Sequence, residues 1–151
     1  MKQLVLIREK KYAKRKIARP ISLRAANHVV LKAKQPLLRR HNSRIRQIVR
    51  DTQGRFKIKI RALSVMPDHV HLIIKVSSRK QFADSLRYLT GQIALKISGA
   101  KLWRTRAWSR TLTWGRDQQT AELYVWNNAV KARCFRDDFD TTYILDGILQ
   151  I

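Results

Sequence analysis

The chain has 151 residues, 44% of them hydrophobic, which suits one domain with an ordinary core. It carries 33 Lys and Arg against 10 Asp and Glu, a formal net charge of +23. Self-repulsion on that scale points to a polyanionic partner, nucleic acid first, because neutralising phosphates releases counterions. Charge by itself fits a structural RNA-binding role as well. The single cysteine, Cys134, excludes an internal disulfide and fits a reducing compartment. No apolar run approaches the roughly 18 residues needed to span a bilayer. Met1–Ile7 is too short for a signal-peptide core and runs straight into charge. The expectation is a soluble, intracellular protein with no membrane partner.

Residues 1–19 read as a basic arm, with Arg8, Lys10, Lys11, Lys14, Arg15, Lys16 and Arg19 before Pro20. Two readings fit it, an arm lying along a phosphate backbone and a solvated tail. Residues 27–34 (NHVVLKAK) read as a first strand, with His28 in a structural role at its start. A helix is expected from Leu37 to about Thr52, with Leu38, His41, Ile45, Ile48 and Val49 on one face and Gln53-Gly54 as its stop. Residues 55–65 read as a second strand, in which Phe56, Ile58 and Ile60 alternate with Lys57, Lys59 and Arg61. The apolar phase then shifts to Leu63 and Val65, which predicts a bulge near Arg61–Ala62. Met66-Pro67-Asp68 is a tight turn into a third strand, residues 69–76, apolar enough to be central.

A long helix follows over residues 79–100, with Phe82, Leu86, Leu89, Ile93 and Ile97 as its stripe. Gly91 inside it suggests a close packing contact. Residues 101–116 interleave Trp103, Trp108 and Trp114 with basic residues around a fourth strand. Trp108 and Trp114 read as core residues on an edge strand, and Trp103 as more open. The alternative for such aromatics is a platform for unstacked bases. The last helix, residues 117–134, has Leu123, Trp126, Val130 and Cys134 as its apolar stripe. Tyr124, Asn128 and Lys131 form a second stripe, offset by about 100° or more at about 3.6 residues per turn. The order strand, helix, strand, strand, helix, strand, helix predicts an α+β, ferredoxin-like or RRM-like fold: a four-stranded antiparallel sheet with helices on one face, plus a C-terminal helix carrying the tyrosine.

The third strand opens with His69 and His71, one residue apart. Side chains alternate along a strand, so the two share a face with Cα atoms about 7 Å apart. Two imidazoles so placed can converge on one metal ion, and they can equally be two half-exposed strand histidines. A His-x-His strand, a helix, a strand, and then a helix with a tyrosine and an amide four residues on resembles the HUH single-strand endonucleases. Within them it is similar to the single-tyrosine transposases, including the REP-associated tyrosine transposases. The resemblance covers about residues 20–135 and is carried by MPDHVHLII (Met66–Ile74) and LYVWNNAVKA (Leu123–Ala132), with Trp114-Gly115-Arg116 before the last helix.

The resemblance implies a basic arm (1–19), a catalytic domain (20–135) and a C-terminal tail (136–151). His69 and His71 would bind a divalent ion, Asn128 would complete its shell, and Tyr124 would be the nucleophile. Many relatives carry a proline where this chain has Ala129. Two imidazoles and an amide suit Mn²⁺ better than Mg²⁺, while substrate phosphate oxygens keep Mg²⁺ open. Attack on a DNA phosphate would give a 5′-phosphotyrosine and a free 3′-hydroxyl, with no nucleotide hydrolysis, in keeping with the lack of a P-loop pattern. The expected DNA contacts are Lys57, Lys59, Arg61, Trp103, Arg104, Arg106, Arg116 and Lys131. The implied partner is single-stranded or hairpin DNA; a homodimer is left open, with Tyr124 serving its own His pair or that of a second subunit. Such a protein would be cytoplasmic and nucleoid-associated. The competing reading is a repurposed protein that binds hairpin DNA or RNA without reacting. Against a plain RNA-recognition domain, no central strand carries an aromatic RNP-type signature.

Overall fold

The computed structural model describes residues 18–99, 101–113 and 115–133. The basic arm up to residue 17, Trp114 and the tail therefore lie outside the described residues. The elements are β1 (Asn27–Lys32), a 3-10 turn (Leu38–His41) leading into α1 (Asn42–Phe56), β2 (Lys59–Val65), β3 (His69–Lys75), α2 (Arg79–Ile97), β4 (Trp108–Thr111) and α3 (Arg116–Arg133). The four strands form one sheet in the order β2-β3-β1-β4, every neighbouring pair antiparallel. This is the ferredoxin-like α+β arrangement expected from the order of elements.

The two faces of the sheet do different things. Val29 and Leu31 of β1 and Val70, Leu72 and Ile74 of β3 point to α1 and α2, where Ile45, Ile48, Phe82, Leu89 and Ile93 complete the main core. Each such side chain, fully buried, stabilises by about 1.5–3 kcal/mol relative to exposure. That burial fixes the phase of β3, because a one-residue slip would turn its apolar set to the wrong face. His69, His71 and Ile73 are thereby committed to the opposite face. There a smaller cluster forms from Ala26, Ile73, Leu112, Ala121 and Val125, with α3 lying across β2 and β3. No helix among the described residues is long and apolar enough to cross a membrane.

Several boundaries differ from the sequence expectation. Helix α1 runs through Gln53-Gly54 to Phe56 and stops at Lys57, which sits in the left-handed region (φ 52°). Gln81 of α2 donates its side-chain amide to the carbonyls of Phe56 (2.8 Å) and Lys57 (3.3 Å), satisfying acceptors that a helix end leaves open. Phe56 and Lys57 are thus helix end and cap rather than strand residues. The expected bulge is present, since the β2–β3 ladder shifts register between Ile60 and Ala62. A Cβ added at Gly91 would meet nothing within 4 Å, so no close packing contact accounts for that glycine.

Helix α3 departs most. Ala121, Val125 and Ala129 are its buried positions, while Leu123 is 59% exposed and Trp126 38%. The bulkiest period in the sequence is not the packing face. The sheet beneath carries Ile73 and the partly buried Ala62, and small side chains let the helix come close enough to be useful. The helix is continuous through Ala129.

Candidate active site

The site is built from β3, β1, β4 and α3. His69 and His71 project from β3 toward the α3 side, with ring centroids 4.8 Å apart and planes at 84°. Asp68, the last turn residue, has Oδ1 2.6 Å from His69 Nδ1. That hydrogen bond holds the Asp68 carboxyl below its ordinary pKa. An ionised carboxylate only accepts, so His69 donates through Nδ1, and the neutral ring carries its lone pair on Nε2.

His28 enters from β1. It pairs with Ile73 across the ladder, on the face opposite Val29 and Leu31, and its Nε2 lies 3.1 Å from His71 Nδ1. Both rings are deeply buried, His28 at 7% exposure and His71 at 5%. Burial, then the neighbouring His69 and His28, push His71 down to about 4. Burial and then Arg110 lower His28 as well. Both rings are therefore neutral at pH 7. His71 Nε2 is buried without a hydrogen-bond partner, and so is the hydroxyl of Ser64, which faces His71 across the β2–β3 ladder.

Tyr124 comes from α3. Its ring centroid is 5.4 Å from that of His71 at 89°, and 6.4 Å from that of His28 at 69°. The phenol is 52% exposed, so it borders the histidines and stays open to a ligand. Asn128 follows one turn later and is partly buried, and Lys131 is exposed. The helix is fastened along its length. Asp117 accepts from the Arg110 guanidinium (3.1 Å) and the Thr113 backbone N–H (2.9 Å), Glu122 pairs with Arg61 at 3.8 Å, and Arg39 donates to the Ala132 carbonyl. The turn that carries Arg39 is itself tied to the hairpin, Leu38 N–H donating to the Pro67 carbonyl at 2.9 Å.

Trp108 of β4 is not the core residue expected. It is 50% exposed, with its ring centroid 5.7 Å from His28 at 90°, on the same face as the histidines. A short edge strand has no second layer to bury it. Trp103 goes the other way. Its indole N–H donates to the Thr90 carbonyl at 3.0 Å and it packs against the α1–α2 core, so its placement lends no support to a DNA contact. Of the expected basic contacts, Lys57, Lys59, Arg61, Arg104, Arg106 and Arg116 are exposed. Arg61 is shared with Glu122, and Lys57 sits at the end of α1.

His28, expected in a structural role, lies directly beside His71, a placement that sequence reasoning did not foresee. The alternation of Val29 and Leu31 already set it on the non-core face. What could not be read was which strand β1 pairs with and in what register.

The chain matches the family described as "Transposase IS200 like" over residues 23–123. Among solved structures, it resembles a REP-associated tyrosine transposase bound to a REP hairpin, at 18% identity and a TM-score of 0.67, over 80% of this chain and 75% of that one. It also resembles a protein of Deinococcus radiodurans R1 named as a candidate transposase, at 22% identity and a TM-score of 0.51, over 76% of this chain and 98% of that one. At these identities the likeness is one of fold. A comparison with curated proteins finds no match. The family match takes in every strand, α1, α2 and the His-x-His hairpin, stopping one residue short of Tyr124; on that extent the chain belongs to the family of IS200-like transposases.

Proposed function

We propose that the protein is a metal-assisted single-stranded DNA endonuclease and strand transferase acting on hairpin-bearing DNA, with Tyr124 as its nucleophile. One observation carries the reading. Tyr124, on the last helix, lies 5.4 Å from His71, ring centroid to ring centroid, in the same chain, although the two are far apart in sequence. The solved structure with a bound REP hairpin supports hairpin DNA as the partner class.

The residues fit a divalent ion. His69 Nε2 is freed by the Asp68 contact, and His71 Nε2 is buried with no protein partner. Among the described residues no group of three or more His, Cys, Asp or Glu could hold a metal; the two imidazoles would hold the ion, with the Asn128 side-chain oxygen proposed as a third donor. When bound, Mg²⁺ or Mn²⁺ supplies Lewis-acid polarisation of the scissile phosphate. Tyr124 Oη then forms a bond to phosphorus while the bond from phosphorus to the 3′-oxygen breaks. The phenol proton goes to solvent, the departing strand leaves with a 3′-hydroxyl, and the downstream strand stays on the protein as a 5′-phosphotyrosine. Attack by a 3′-hydroxyl reverses the step and joins strands, conserving the phosphodiester bond energy. Trp108, half exposed on this face, is suited to stack a base beside the scissile phosphate. Lys59, Arg104, Arg106, Arg116 and Lys131 are available for phosphates.

The test uses a single-stranded, hairpin-bearing DNA labelled at its 3′ end, with Mn²⁺ or Mg²⁺. Wild type is expected to carry the label through denaturing electrophoresis. Tyr124→Phe is expected to bind the DNA with unchanged affinity and form no adduct. Wild-type binding with no adduct on any single-stranded substrate would identify a hairpin-binding protein that no longer cuts.

A further inference from the structure

We infer that His28 is a positioning residue whose Nε2 accepts a hydrogen bond from His71 Nδ1, so that His71 Nε2 keeps its lone pair for a divalent cation. The inference rests on the proposed reading of His69 and His71 as metal ligands. The two rings meet at 3.1 Å, nitrogen to nitrogen, and both are buried, so exactly one of them supplies the hydrogen. If His28 donated, His71 would have to hold its proton on Nε2. That atom is buried without a partner, and the arrangement would leave an unpaired donor inside the protein. If His28 accepts, its own proton sits on Nδ1 and the orphaned His71 Nε2 becomes a lone pair aimed at a ligand.

The same logic already operates next door. Asp68 accepts from His69 Nδ1 at 2.6 Å, which leaves His69 Nε2 free. Two acceptors, a carboxylate from the turn and an imidazole from the neighbouring strand, thus set the two histidines in the same tautomer. Outer groups of this kind fix ring orientation and raise ligand basicity, and losing one costs roughly 10–100-fold in metal affinity. The ring of His28 is held in turn by contacts with Trp108 and Tyr124. Its position is therefore shared with the platform and the nucleophile.

The full chain, without DNA, is titrated with Mn²⁺ alone. His28→Ala is expected to weaken binding about 10–100-fold. His28→Gln, whose amide oxygen can accept from Nδ1, is expected to recover most of that loss. In the metal-free wild type, long-range ¹⁵N NMR of the imidazoles is expected to show His71 protonated on Nδ1. Unfolding midpoints of both variants separate lost folding from lost positioning. Wild-type affinity in His28→Ala, or a His71 proton on Nε2, overturns the inference while leaving the metal reading in place. Wild type that binds no Mn²⁺, or binds it equally well after His71→Ala, overturns the metal reading and this inference with it.

Discussion

At the residue scale, the buried histidines tie stability to pH. His71 titrates at about 4 in the folded chain against 6.5 ordinarily. Between those values the unfolded chain takes up a proton that the folded chain refuses. Stability is therefore highest above pH 6.5 and falls as pH drops toward 4, by at most about 1.4 kcal/mol per pH unit for one proton. His28 is lowered too, by burial and Arg110, and its contribution has the same sign. Urea unfolding of the metal-free protein at pH 7 and pH 5 is expected to show a lower midpoint at pH 5, and His71→Ala is expected to flatten the difference. An equal or higher midpoint at pH 5 in wild type would mean that the rings are not buried neutral.

At the element scale, α3 shows what periodicity reads well and what it does not. Strands β2 and β3, their bulge and α2 were legible because a large apolar stripe faces a large core. In β3 the phase of Val70, Leu72 and Ile74 assigned His69 and His71 to the open face before any partner was known. In α3 the same rule favoured Leu123 and Trp126, which are the heaviest apolar side chains there, whereas Ala121, Val125 and Ala129 face the sheet. Close approach selects small side chains, and that requirement belongs to the surface beneath, which one helix cannot reveal. Trp108 was misjudged, and the place of His28 beside His71 was not foreseen, for a related reason. Whether a strand residue is covered depends on its neighbours in the sheet and on what crosses them, and both are nonlocal. Ala129→Leu should overpack the α3–sheet contact, costing about 1–3 kcal/mol and lowering adduct yield by displacing Tyr124. Leu123→Ala, at an exposed position, should stay within about 0.5 kcal/mol of wild type. Urea midpoints check both, and the reverse ranking would restore Leu123 to the packing face.

At the scale of the whole molecule, the sheet separates the main core from the candidate site. One face is closed by α1 and α2 around the main core. The other carries three histidines, a half-exposed tryptophan and a tyrosine on a helix tied down at Asp117, Glu122 and Ala132. These three ties and the Tyr124–His71 contact are all made within one chain. The net charge of the whole chain, +23, suits a polynucleotide partner. The measurement that bears most directly on the central claim is tryptic peptide mapping after reaction with hairpin-bearing single-stranded DNA and Mn²⁺. The expected result is a nucleotide joined through a 5′-phosphate to the peptide containing Tyr124, absent when His69 and His71 are both replaced by alanine. A nucleotide found on any other residue, or an adduct that survives loss of both histidines, would contradict it.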